Sequence, residues 1–175
     1  IKNYERKEQI MEMIPTTQSA GFILFRHMGG AYDVLMVEQY GETWGFPKGH
    51  IEEGEEPLQC AYRELLGETG IEDGNILVAD SLYLTYTYGE ELKEITLYPA
   101  ILLKERYWFK HEPLTPNDDA ITAVEWVHIE EVDARLTEEE SYVFYEILKS
   151  IKWKLLHSSM LSSTTGEFVK KFKND

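Results

Sequence analysis

Between Phe46 and Ile71 the chain reads FPKGHIEEGEEPLQCAYRELLGETGI, packing acids, glycines and one arginine at regular spacing. Leu58, Ala61, Tyr62 and Leu65 recur at i, i+3, i+4 and i+7, the period of a helix with one apolar stripe. At about 100° per residue, Glu64 and Glu68 share one flank of that helix, while position 67 looks away from the stripe. Two carboxylates one turn apart repel by a few tenths of a kcal/mol when nothing lies between them. The plain reading is a solvated acidic face. The chemical reading is a divalent cation held by both, beside a glycine-bearing loop whose backbone can approach a ligand closely. Mg²⁺ suits such a place, because it takes oxygen ligands, uses one or two carboxylates and fills its shell with water and phosphate oxygens.

The elements around this run must hold it in place. Ala20–Phe25 and Tyr32–Gln39 are apolar, β-prone stretches joined through Gly29-Gly30, a hairpin signal. TWGFPKG, with Gly45, Pro47 and Gly49, reads as a loop. Pro57 suits the first turn of the helix, Glu55 and Glu56 sit beside its positive end, and Gly70 stands where it would stop. Further strands are expected in NILVADSLYLTYTY, in KEITLYPAILLKE, where Pro99 suggests an edge or a bulge, and in AVEWVHI. Thr137 and Glu140 make a capping-box signature for a last helix through about Lys149, with Tyr142, Tyr145 and Leu148 or Phe144 facing inward. The order implies an α/β (α+β) sandwich, helices on a mixed sheet, in a chain of 175 residues that reads as one domain.

The formal net charge is −15, and from Lys149 onward six lysines stand against Glu167 and Asp175. The strongly acidic body therefore repels polyanions unless cations bridge to them. With one cysteine, Cys60, no intrachain disulfide forms, which suits a reducing compartment. No apolar run is long enough to span a membrane and no signal peptide opens the chain. The expected location is intracellular, in the cytoplasm, although a start at Ile1 leaves a removed targeting segment open. Cys60 falls outside the apolar stripe with no base evident nearby and reads as a filler rather than a nucleophile.

Gly49, Glu55, Arg63-Glu64, Leu65, Glu68, Gly70 and Ile71 resemble the Nudix box, G-x5-E-x7-R-E-U-x-E-E-x-G-U with U aliphatic, and match it at eight of nine defined sites. WGFPKGHIEEGE is similar to the loop entering this box in diadenosine-polyphosphate hydrolases and mRNA-decapping enzymes, and AVEWVHIEEV to a tryptophan-bearing strand they carry. The resemblance implies a Nudix α/β/α sandwich over 1–175, with about 150–175 a basic C-terminal extension. It further implies Mg²⁺- or Mn²⁺-dependent hydrolysis of a phosphoanhydride in a nucleoside diphosphate linked to another moiety, such as a dinucleoside polyphosphate or an RNA 5′ end. Glu64 and Glu68 would ligate metal, Gly49 would do so through its carbonyl, and Glu64 could also orient or deprotonate the attacking water. Arg63 would tie Glu55 to the helix. Lys48 would meet a phosphate, Trp44 and Tyr86 or Tyr88 could stack a base, and His50 could touch a phosphate. For the aromatics the ordinary reading is sheet packing, and for His50 it is a bystander on a loop.

Two positions depart from the pattern. Gly67 stands where the first glutamate of the E-E pair belongs, at a cost of about 0.5–1 kcal/mol to the helix. A further metal-binding glutamate is expected six residues before the late tryptophan, and counting back from Trp126 reaches Ala120. Asp119, or Asp118, could replace it, and Glu91 and Glu94 are other donors. Turnover would then be weaker or more dependent on metal concentration. The alternative is a catalytically degenerate Nudix domain that binds nucleotide or RNA, or scaffolds a partner.

Overall fold

The computed structural model describes residues 17–28, 31–79, 83–86, 92–103 and 119–157. The strands are β1 (Thr17–Met28), β2 (Ala31–Gln39), β3 (Thr43–Gly45), β4 (Lys48–His50), β5 (Ile76–Val78), β6 (Leu84–Tyr86), β7 (Lys93–Leu102) and β8 (Ile121–His128); the helices are α1 (Pro57–Thr69) and α2 (Glu138–His157). β1 and β7 run parallel, and the other pairings are antiparallel, so the sheet is mixed.

β1 and β2 pair only at one end, Phe25 with Val34 through Met28 with Ala31. Beyond that they part, and β4 pairs with β1 while β3 pairs with β2. The segment expected to be a plain loop is thus two short strands flanking Phe46-Pro47. Phe22 N–H donates to the Pro47 carbonyl at 3.1 Å. A Cβ at Gly21 would lie 2.1 Å from that carbonyl oxygen, so only glycine lets the chain pass there.

Side chains of β1 alternate between two cores. Ala20, Phe22 and Leu24 pack under α1 with Leu35, Cys60, Ala61 and Leu65. Ile23 and Phe25 pack under α2 with Val34, Met36, Phe46, Val143, Phe144 and Ile147. Burial on both faces is why AGFILF is a continuous apolar run rather than an alternating one.

Several expectations change. Pro99 is neither at an edge nor at a bulge. β7 has β1 on one side, and on the other Leu97 pairs with Leu84 of β6 and Ala100 with Val78 of β5, so the residue without an N–H falls where one neighbour gives way to the other. The inward stripe of α2 is Val143, Phe144 and Ile147, whereas Tyr142 and Tyr145 are exposed. The helix runs past Lys149 to His157. Gly29-Gly30, Tyr88, Glu91 and Asp118 lie outside the described residues.

Candidate active site

The start of α1 is set by local chemistry. Pro57 takes the first helical position, and Gln59 Oε1 accepts the Glu56 N–H at 3.0 Å, satisfying a donor that the helix leaves free. Gly70 closes the helix with a left-handed backbone (φ 77°) and donates its N–H to the Leu66 carbonyl.

Arg63 ties this helix to the loop before it. Its Nε donates to Glu55 Oε2 at 2.8 Å and its Nη2 to Glu55 Oε1 at 3.0 Å, a two-pronged pairing of guanidinium and carboxylate. Nη2 also donates to the His50 carbonyl at 2.9 Å, and Nη1 to Glu64 Oε1 at 2.6 Å. The Arg63 guanidinium holds the Glu55 carboxyl well below its ordinary range, at about 2, and the same bond to Glu55 makes Arg63 harder to deprotonate. One arginine thus fixes Glu55, Glu64 and the backbone after Gly49.

Glu64 is pressed against the loop. A Cβ at Gly49 would come 2.2 Å from the Glu64 carboxyl carbon and 2.4 and 2.5 Å from its oxygens, so the carboxylate rests on bare backbone. One turn later, Glu68 is 2% exposed, a charged residue type in an enclosed position. Cys60 corrects the helix-wheel reading. It is fully buried in the core under α1, and its thiol donates to the Gly49 carbonyl at 3.3 Å. Burial pushes that thiol up to about 11, so it stays protonated at neutral pH.

Gly67 is exposed, and a Cβ there would meet nothing within 4 Å. Space therefore does not dictate glycine at that position. Asp119 is exposed in the turn before β8, and Ala120 uses its carbonyl to accept the Tyr40 N–H at 2.9 Å. No group of three or more His, Cys, Asp or Glu side chains able to hold an ion occurs among the described residues. Asp119 stands in the turn entering β8, and whether it joins Glu64 and Glu68 belongs to the proposed function. The oxygen donors that do come together, Glu64 with the Gly49 backbone and Glu68 one turn on, fit a hard divalent ion that completes its shell with water and phosphate.

The remaining candidates spread out. Lys48 is half-buried in β4, and His50 is exposed at the end of that strand, its carbonyl used by Arg63. Trp44 is partly buried against the core under α2, with the Arg135 guanidinium 4.4 Å from its ring centre, so one face is already taken by a cation. Tyr86 packs on the same core and edges an open cleft of about 740 Å³, lined also by Glu94, Glu138, Glu139 and Tyr142. Glu94 belongs to that cleft. Sequence reasoning missed Arg135, which no periodicity links to Trp44, and the inward placement of Cys60.

Residues 15–147 match the NUDIX domain, and the chain belongs to the Nudix hydrolase family. It is similar to an RNA pyrophosphohydrolase of Actinobacillus succinogenes, 33% identical over 94 residues that make up 52% of this chain and 46% of that protein. A second RNA pyrophosphohydrolase, from Bartonella tribocorum, is 23% identical over 83% of this chain and 95% of its own length. The chain thus spans less than half of the first relative and nearly all of the second. Among solved structures, the Caenorhabditis elegans Ap4A hydrolase binary complex superposes with a TM-score of 0.66, 18% identity, and coverage of 78% of this chain and 98% of that one. At that identity the likeness is one of fold. Among the described residues, no helix is long and apolar enough to cross a membrane.

Proposed function

We propose that this chain is a divalent-cation-dependent Nudix pyrophosphohydrolase acting on a nucleotide polyphosphate, an RNA 5′ end or a dinucleoside polyphosphate. The observation that carries this reading is the Glu64 carboxylate resting on the Gly49 backbone while Arg63 donates to one of its oxygens. The RNA pyrophosphohydrolase relatives support the RNA end, and the fold shared with an Ap4A hydrolase supports the dinucleotide. The chain acts as one Nudix domain with a lysine-bearing C-terminal extension. Such substrates belong inside the cell, which suits a lone reduced thiol.

The chemistry follows from the residues. A polyphosphate is strongly anionic, so a chain of net charge −15 needs cations to accept it. Mg²⁺ or Mn²⁺, when bound, neutralises phosphate charge and lowers the pKa of attacking water. Glu64 and Glu68 with the Gly49 carbonyl would hold the ion. Lys48 meets a phosphate oxygen as a point charge. Glu64 orients a water and accepts its proton as the water oxygen bonds to phosphorus. The bridging P–O bond then breaks and its electron pair leaves with the departing phosphate. Arg63 touches no substrate; it keeps Glu64 and the loop in register. His50, exposed at the strand end, reaches a phosphate only from the rim. Tyr86 offers one ring edge to a base across the cleft, with Tyr88 its neighbour in sequence, and Trp44 offers the face that Arg135 leaves open.

A second reading, a nucleotide-binding module without turnover, is favoured by Gly67 and by the absence of a three-carboxylate cluster among the described residues. One panel separates the two. Hydrolysis of 5′-triphosphorylated RNA and of diadenosine tetraphosphate is measured with Mg²⁺ and Mn²⁺ for this chain, Glu64→Gln and Gly67→Glu. Low activity in this chain, a gain in Gly67→Glu and loss of roughly 100-fold in Glu64→Gln are expected, given what even supporting groups contribute at metal sites. Inert Gly67→Glu protein that still binds nucleotide would establish the binding module.

A further inference from the structure

Glu140 is a charged side chain that the reaction does not use. It sits in the first turn of α2, where its N–H donates to Thr137 Oγ1 at 3.3 Å and its Oε1 accepts from the Thr137 hydroxyl at 3.1 Å. These bonds fix its direction. Its other oxygen, Oε2, is shielded from water and has no hydrogen-bond partner among the described residues. That is a costly place for half of a carboxylate.

A cation stands close by, at the start of β4: Lys48. A Cβ built on Gly45 would lie 3.3 Å from Lys48 Nζ and 3.7 Å from Glu140 Oε2. The ammonium and the orphan oxygen therefore flank one small space over a buried glycine, and among the described residues they make no ion pair. Glu140 is anchored by Thr137, whereas the lysine stem has four rotatable carbons, so the ammonium is the partner that can move.

We propose that Glu140 is a positioning residue for Lys48: an internal anion that holds the ammonium over Gly45 until a substrate phosphate replaces it. The inference rests on Lys48 being a phosphate contact. Carboxylate and phosphate carry the same sign and draw on the same cation, so substrate binding is an exchange of anions rather than capture by a free charge. The oxygen's seclusion from water explains why a ligand does not reach it directly and why its effect runs through Lys48.

The test is a double-mutant cycle read by calorimetric titration of inorganic tripolyphosphate with Mg²⁺, which needs no turnover. The proteins are this chain, Glu140→Gln, Lys48→Ala and the double variant, each checked for cooperative thermal unfolding. Glu140→Gln is expected to bind tripolyphosphate about three- to tenfold more tightly, and to lose that gain once Lys48 is alanine. Unchanged binding in Glu140→Gln, or the same gain in both backgrounds, overturns the proposal while leaving Lys48 as a phosphate contact. Lys48→Ala with undiminished affinity refutes the phosphate contact itself. If Glu140→Gln disturbs the helix start, Glu140→Asp keeps the charge but withdraws it from Gly45, and should shift affinity in the same direction by less.

Discussion

α1 and α2 lie on opposite faces of one sheet, yet α1 turns Glu64 and Glu68 toward the protein body while α2 turns Val143, Phe144 and Ile147. Both are seated on β1, whose alternate side chains feed the two cores. On the α2 side the contact is apolar and roughly proportional to the area hidden from water. On the α1 side Cys60, Ala61 and Leu65 make an apolar seat as well, and an arginine with its carboxylates also fixes where the helix sits relative to the loop. An apolar seat tolerates small shifts; a fork of hydrogen bonds with defined angles does not. The face proposed to place charge on a phosphate is the face held by directional bonds.

Substitutions that strain one face should leave the other's signature alone. The largest effect belongs to Phe144→Ala, which empties a fully packed position and should cost about 3–5 kcal/mol of stability. Thermal melts will show the loss, and kcat/KM per folded molecule should hardly change. Gly49→Ala comes next. Its methyl would meet the Glu64 carboxylate head-on, so about 1–3 kcal/mol of strain is expected. Unlike Phe144→Ala, it should also lower kcat/KM, because Glu64 must move away; activity kept at the level of the parent would mean that Glu64 does not act from this position.

Smaller effects sharpen the contrast. Gly67→Glu should stabilise α1 by about 0.5 kcal/mol, the helix gain less a few tenths for its repulsion with neighbouring glutamates. Denaturant midpoints measured without metal isolate that gain from any effect on ligand binding. The pH dependence of Glu55 is the finest probe. Its carboxyl is depressed in the folded chain from 4.5 to about 2, so its contribution is present above 4.5 and is lost as pH falls toward 2. Glu55→Gln should therefore be less stable than the parent at neutral pH, and the two melting curves should converge through that window. A gap that persists at pH 2 would mean that the Arg63 pairing is not its source.

The site around α1 was largely legible before any coordinates, because its grammar is local: a first-turn proline, a glycine stop, and charges at fixed spacing on one helix. What escaped is non-local. Cys60 falls off an idealised stripe, yet β1 and β4 close over that side of α1, so it is core. Tyr142 and Tyr145 satisfy a helical period, but so do Val143, Phe144 and Ile147 one step round, and only the sheet decides which set is covered. TWGFPKG looks like a loop because its strands are three residues each, visible only by their pairing across two separated neighbours. Asp119 followed from counting along the chain, whereas joining a metal site depends on distance through space, which spacing in sequence does not carry.

The parting of β1 and β2 bears on how a ligand is admitted. Phe46-Pro47 is stitched at either end into a different strand, and Ile51 N–H donates to the Gln18 carbonyl at 2.9 Å just beyond. A segment sewn down on both sides is a fixed seam and not a hinged flap. Lys48 can swing its stem, but its backbone stays with the sheet, so the proposed contact with a polyphosphate would be a matter of side-chain reach from a fixed threshold.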